Sequence, residues 1–112
     1  MKRYCQTLTL PKDERLVEEY IKAHQNVWCE IQDGIKEVGI LDMQIFLSGN
    51  QAFMIMDTKD DFDFVKDNQR LSTLPRQAEW EAFVARFQGC DPNAASTSKW
   101  KLMTKIFELD KD

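Results

Sequence analysis

The chain has 112 residues and a mass of 13.2 kDa, so we expect a single domain over residues 1–112. Hydrophobic residues make up 43% and charged residues 30%, as in ordinary globular proteins, and no apolar run reaches the roughly 20 residues that a membrane crossing requires. The 15 basic and 19 acidic residues are scattered along the chain, which argues against nucleic-acid binding. Because the first residues lack an apolar stretch, we expect a cytoplasmic protein.

The first third of the chain predicts a strand and one long helix. Residues 3–10 end in an alternating run from Thr7 to Leu10 and stop at Pro11, which cannot donate a hydrogen bond to a sheet. Acidic residues then mark a helix start, and apolar residues recur with helical spacing from Leu16 to Val38. Gly39 stands where a helix commonly ends in a left-handed residue, so one continuous helix is expected up to this glycine.

The middle of the chain predicts a hairpin. Residues 40–47 and 51–58 are apolar and rich in strand-forming residues, and the residues between them, Ser48, Gly49 and Asn50, suit a tight turn. Residues 60–67 are acidic around three apolar side chains and predict a short helix capped by an aspartate. Residues 68–73 are expected to form a loop.

The last third predicts a second main helix and a final strand. After Pro75, apolar side chains at Trp80, Phe83, Val84 and Phe87 form a helical stripe that Gly89 ends. A polar stretch then leads to a strand expected from about residue 100 to residue 109. The order of elements is that of the ferredoxin-like split βαβ pattern, an α+β fold with a four-stranded antiparallel sheet and two main helices on one face.

The opposite face of such a sheet would be bare. The predicted strands also carry more apolar residues than one face needs, namely Leu8, Ile45, Phe53, Ile55 and Phe107. Contiguous exposed apolar patches in soluble proteins usually mark interfaces. We therefore expect a homodimer in which two sheets pair to form a dimeric α/β barrel.

The single histidine is the main candidate for chemistry, because its ordinary pKa lies near neutral pH. His24 follows Tyr20 by four residues and precedes Trp28 by four, so a continuous helix would align all three on one face. Such a row could line a small polar cavity, since aromatic faces suit the C–H faces of a sugar and polar tips suit its hydroxyls. The alternative is a histidine that is held in the core by hydrogen bonds.

Two neighbouring residues on the second main helix are further candidates. Trp80 could form a stacking wall for a sugar, and Glu79 could donate or accept a proton or hydrogen bond; otherwise Trp80 is core and Glu79 is a solvated charge. The cysteines are three and far apart, so they make neither a disulfide framework nor a metal motif. We expect no metal and no organic cofactor.

The segment from residue 18 to residue 28 resembles the E-E-Y-x-x-x-H-x-x-x-W run of L-rhamnose mutarotases. The similarity extends over nearly the whole chain and includes the hairpin, the helix of Trp80 and the terminal segment 106–109. The resemblance implies an isomerase of the aldose 1-epimerase type, which interconverts the α and β pyranose anomers of a sugar. It also implies that His24 is the proton donor, that Tyr20 contacts the sugar and that Trp80 lines the site.

Two positions depart from the family pattern. Met43 replaces a sugar-binding tyrosine, and Glu79 replaces the first of two adjacent tryptophans. We therefore expect a 6-deoxy sugar as substrate, either L-rhamnose or L-fucose. Two alternatives use the same architecture: a small dimeric ferredoxin-like monooxygenase, with His24 as base or haem ligand, and a non-catalytic sugar-binding dimer.

Overall fold

The computed structural model describes residues 1–91, 93–94 and 96–110, and the side chains of all these except residues 96 and 98. The elements follow one another along the chain as β1 (Lys2–Thr9), α1 (Glu14–His24), α2 (Cys29–Glu37), β2 (Ile40–Ser48), β3 (Gln51–Thr58), α3 (Phe64–Leu71), α4 (Gln77–Gln88), α5 (Ser96–Lys99) and β4 (Lys101–Leu102). In this part of the chain, no helix is long and apolar enough to cross a membrane.

The strands form one antiparallel sheet in the order β2-β3-β1-β4. Because β3 pairs antiparallel with both β1 and β2, these two strands run parallel on either side of it, which is the split βαβ arrangement. The predicted α+β class and the predicted hairpin are confirmed. The hairpin turn uses Gly49 in the left-handed region, at φ 59°.

The two faces of the sheet differ in burial. The face toward the helices carries buried side chains from neighbouring strands, among them Leu8, Ala52, Met54 and Met56. The opposite face carries Phe46, Phe53 and Ile55, which are partly or largely exposed. Of the five apolar residues counted above as surplus, Leu8 and Ile45 therefore belong to the helix side, and Phe53 and Ile55 belong to the open side.

The prediction of one continuous helix before Gly39 is wrong. Helix α1 ends at His24, and Trp28 has extended dihedral angles as the N-terminal cap of α2. The side-chain amide of Gln32 donates to the carbonyl of Val27 at 3.0 Å, which satisfies one backbone group that the break leaves free. The apolar period continues across the break because residues on both sides still face the core, so periodicity alone could not show that the backbone is interrupted.

The short helix predicted in the acidic segment exists as α3, and its cap is Asp63, whose carboxylate accepts from the backbone amides of Val65 and Lys66. The loop predicted over residues 68–73 is wrong in its first four residues, because α3 continues to Leu71. This leucine is buried in the core, and its packing sustains the last turn. The second main helix is confirmed as α4, and Gly89 ends it at φ 68°.

The long final strand is also wrong. Strand β4 has two residues, which pair with Gln6 and Thr7, and the chain leaves the sheet after Met103, whose amide still donates to a carbonyl of β1. In this terminal segment Ile106 is 95% exposed, Phe107 is 75% exposed and Leu109 is 88% exposed. The composition of this segment is typical of a strand, but its apolar side chains do not pack against the described residues of the same protomer.

Candidate active site

A cavity of about 110 Å³ lies between the sheet and the helices. Seven of its lining side chains are polar or charged, namely Gln6, Tyr20, His24, Asn68, Gln77, Glu81 and Gln88. The rest of the wall is apolar and comprises Val27, Ile31, Ile35, Met43, Ile45, Met54, Met56, Leu71, Trp80, Val84 and Trp100. An apolar cavity with a few convergent polar groups is typical of a small-molecule site.

The cavity adjoins two wider spaces through shared wall residues. His24, Met43 and Ile45 also line a groove of about 500 Å³ between α2 and the edge strand β2. Gln77 and Glu81 also line a second space, of about 330 Å³, next to Asn93 and Thr97. His24 therefore borders both the cavity and the groove at the β2 edge.

His24 is the last residue of α1, and its ring orientation is set by a local hydrogen bond. Nδ1 lies 2.9 Å from the backbone carbonyl of Tyr20, and because a carbonyl only accepts, Nδ1 must carry the hydrogen. Nε2 is then the ring atom that can exchange a proton with a ligand. Burial lowers the pKa of His24 below 6.5, while the Tyr20 carbonyl and the negative charge of Glu81 act in the opposite direction.

Aromatic rings hold His24 from two sides. The ring centroid of Tyr20 is 4.5 Å away, and that of Trp80 is 5.7 Å away in an edge-to-face arrangement. Trp28 packs behind Trp80, with 5.2 Å between ring centroids, and does not line the cavity. The predicted row of Tyr20, His24 and Trp28 on one helical face is therefore wrong at its third member, since the chain breaks before Trp28.

Two buried polar atoms on the cavity wall have no hydrogen-bond partner among the described residues. They are the hydroxyl of Tyr20 and the side-chain oxygen Oε1 of Gln88. Burial raises the pKa of Tyr20 to about 12, and the adjacent Gln88 side chain opposes this effect. Because native proteins satisfy nearly all buried polar groups, these two atoms suit a ligand that carries hydroxyls.

The carboxylate at the cavity belongs to Glu81 and not to Glu79. Glu79 is 64% exposed and forms an ion pair with Arg76, 3.5 Å away, on the outer side of α4. Glu81 Oε2 instead accepts from Nζ of Lys99 at 2.8 Å, and Oε1 accepts from the amide of Gln77 at 3.1 Å. The structure thus brings Tyr20, His24 and Trp80 together and leaves Glu79 outside.

The spacing of residues on α4 could have identified three polar cavity residues that were not predicted, Gln77, Glu81 and Gln88. Gln77, Glu81, Val84 and Gln88 are separated by four, three and four residues, so they form one stripe on α4 that borders the stripe of Trp80. The polar members of this stripe are the ones that line the cavity. Within residues 1–91, 93–94 and 96–110, no group of three or more His, Cys, Asp or Glu side chains could hold a metal ion.

Comparisons with known proteins place this site in a family. The family model described as L-rhamnose mutarotase matches residues 3–109. The L-fucose mutarotase of Xanthomonas campestris is 34% identical over 111 residues, covering 97% of this chain and 89% of the relative. A UPF0734 protein of Dictyostelium discoideum is 36% identical over 113 residues, covering 97% of this chain and 90% of the relative.

The fold also matches a solved structure. The crystal structure of the L-rhamnose mutarotase of Formosa agariphila has a TM-score of 0.74 and 18% identity, and the match covers 98% of this chain and 100% of the other. Identity at this level supports the fold alone, while the family match covers nearly the whole sequence and both curated relatives exceed 30% identity. The chain therefore belongs to the L-rhamnose mutarotase family, and it is an isomerase that acts on a sugar.

Proposed function

We propose that this protein interconverts the α and β pyranose anomers of a 6-deoxy-hexose, with L-fucose as the first candidate and L-rhamnose as the second. The observation that carries the proposal is the partly buried His24, which has its Nδ1 committed to a carbonyl and shares a cavity with the unpartnered oxygens of Tyr20 and Gln88. The curated relative named L-fucose mutarotase supports the choice of sugar. Apolar side chains such as Met43 and Ile45 offer a wall for the C6 methyl group.

The chemistry needs two proton transfers. Ring opening breaks the bond between C1 and the ring oxygen, which takes up a proton, while the anomeric hydroxyl loses its proton as C1 becomes a carbonyl. We assign the first transfer to protonated His24, which donates from Nε2 to the ring oxygen. After rotation about the C1–C2 bond, the hydroxyl on C5 attacks the other face of the carbonyl, and both protons return. Because burial lowers the pKa of His24, the protonated imidazole is a strong donor.

The remaining cavity residues bind the sugar in this proposal. Tyr20 Oη and Gln88 Oε1 hydrogen-bond to ring hydroxyls, and Trp80 faces the C–H groups of the ring. The family assignment favours this activity over the monooxygenase considered from the sequence. A non-catalytic sugar-binding protein is the alternative that the next experiment addresses.

The direct test is nuclear magnetic resonance exchange spectroscopy between the α and β anomeric protons. We expect the protein to accelerate exchange of L-fucose, L-rhamnose or both, and we expect His24→Asn to lose this acceleration. D-glucose serves as the control sugar, since it lacks the C6 methyl group. Chemical-shift changes on sugar addition without faster exchange would refute the catalytic proposal and support a binding protein.

We also propose a homodimer formed through the open sheet face. Phe46 is 53% exposed on this face next to Phe53 and Ile55, and the terminal segment after β4 carries Ile106 and Phe107 in contact with solvent. A second copy of the chain would cover this apolar surface. Sedimentation equilibrium should give twice the chain mass, and Phe53→Asp should give a monomer. The cytoplasmic location stays a prediction.

A further inference from the structure

We propose that Glu81, held in place by Lys99, is the second proton-transfer group, the one that takes the proton from the anomeric hydroxyl. The proposal rests on the mutarotase function above. It starts from an unusual feature of the structure, which is a buried ion pair at the wall of the cavity that contains the only histidine of the chain. From the sequence Glu79 is a candidate for proton transfer, but in the structure it lies outside the cavity.

Glu81 lies at the wall of the cavity that His24 also lines. Its side chain is 14% exposed and lines the cavity with His24 and Tyr20. The carboxylate also acts on His24, because burial lowers the pKa of the imidazole and the negative charge of Glu81 partly offsets that effect. The two groups therefore form the pair that the reaction needs, a protonated base that gives a proton and a carboxylate that accepts one.

The surrounding contacts orient the carboxylate and pair its charge with a buried cation. The Lys99 side chain is 1% exposed, and its Nζ donates both to Glu81 Oε2 at 2.8 Å and to the Glu81 backbone carbonyl at 2.9 Å. Gln77 donates to Oε1 at 3.1 Å. Each carboxylate oxygen has two acceptor sites, so each oxygen retains one for the anomeric hydroxyl after these bonds are made.

Every proton that is transferred during ring opening is returned during ring closure. In ring opening, His24 Nε2 loses its proton to the ring oxygen, the C1–O bond breaks, and the proton of the anomeric hydroxyl passes to a Glu81 oxygen. In ring closure, the protonated Glu81 returns a proton to the anomeric oxygen and Nε2 recovers its proton from the C5 hydroxyl. The enzyme ends as it began, and no other reactant is consumed.

A purely structural role is the competing explanation, because the same pair ties α4 to the segment that precedes β4. Glu81→Gln keeps the size of the side chain and removes its basicity. We expect it to slow catalysed exchange by about 100-fold or more, with sugar affinity changed by less than about fivefold. Glu79→Gln is the matched control on the same helix, since Glu79 lies outside the cavity, and it should exchange at the wild-type rate.

A second variant separates catalysis from folding. In Glu81→Met with Lys99→Met the whole ion pair is replaced by apolar side chains, a change that proteins often tolerate. We expect this double variant to fold, as judged by circular dichroism and thermal melting, and still to lose exchange by about 100-fold or more. If either folded variant retains exchange within a few-fold of wild type, the role of Glu81 is refuted.

The remaining outcomes also decide the question. If neither variant folds, the pair belongs to stability and the proposal is overturned. If Glu79→Gln slows exchange as much as Glu81→Gln does, the assignment to Glu81 is equally overturned. A wild-type protein that accelerates exchange of neither deoxy sugar refutes the mutarotase proposal itself, whereas fast exchange by both wild type and Glu81→Gln refutes only the inference about Glu81.

Discussion

Tyr20→Phe tests the buried hydroxyl through the dependence of stability on alkaline pH. Burial raises the pKa of Tyr20 in the folded protein from 10.0 to about 12. At pH 11 the unfolded tyrosine has therefore lost most of its proton while the folded one keeps it. The unfolded state binds fewer protons, so raising the pH favours unfolding.

The magnitude follows from the two pKa values. Between pH 8 and pH 11 the free energy of unfolding of the wild type should fall by about 1.4 kcal/mol relative to Tyr20→Phe, which has no hydroxyl to ionise. All other titrating groups are common to both proteins and cancel in the difference. Since the hydroxyl has no protein partner among the described residues, the two proteins should differ by only about 0.5 kcal/mol at pH 8.

Urea denaturation at pH 8, 9, 10 and 11 measures this difference directly. The same substitution should lower kcat/KM for the sugar by roughly tenfold, because a hydrogen bond to the substrate is lost while the fold is kept. A stability difference that stays constant from pH 8 to pH 11 would mean that Tyr20 ionises in the folded protein as it does in the unfolded chain. It would refute the burial argument.

Three further predictions concern the site and the turn that ends α4. His24→Asn should lose catalysed exchange. Because burial lowers the pKa of His24, the histidine of the unfolded chain takes up a proton at higher pH than that of the folded protein. In urea titrations the free energy of unfolding of the wild type should therefore fall as pH drops below about 6.5, and the variant should lack this contribution. Met43→Tyr should move the ratio of kcat/KM values for L-rhamnose and L-fucose roughly tenfold toward L-rhamnose, because Met43 lines the cavity. Glu79→Trp should leave this ratio unchanged, because Glu79 lies outside the cavity. The opposite pattern would contradict the placement of these two residues. Gly89→Ala should lower the free energy of unfolding by about 1–3 kcal/mol, because the added Cβ would lie 2.9 Å from Pro11 and residue 89 has a left-handed φ. An unchanged midpoint of urea unfolding would contradict that packing.

Much of the fold was predictable because its signals are local. Turn and cap chemistry belong to a few adjacent residues, which is why Gly49 and Asn50 marked the hairpin, an aspartate of the acidic segment marked a helix start and Gly89 marked a helix end. Alternating and helical periods predicted the element order and therefore the split βαβ arrangement. The same reasoning failed at residues 25–28, because the apolar period continues there while the backbone breaks.

The candidate site was predictable only in part. The spacing of Tyr20 and His24 on α1 placed both at the cavity, because four residues is one helical turn within a single element. The choice between Glu79 and Glu81 depended on how α4 is rotated against its neighbours, and residues two apart on a helix point to different sides. The contact of Glu81 with Lys99 spans 18 residues, and no local pattern encodes such a pair.

The sequence by itself determined the order of the main strands and helices, most of the residues that face the core, and the resemblance to a mutarotase family. Only the tertiary structure decided which polar side chains share the cavity, which nitrogen of His24 is committed to a carbonyl, and how the terminal segment leaves the sheet after Met103. The physical reason is the range of the interactions. Periodicity and capping act over one or two helical turns, whereas burial of Lys99 against Glu81 and of Tyr20 against Gln88 requires elements that meet only after the chain has packed.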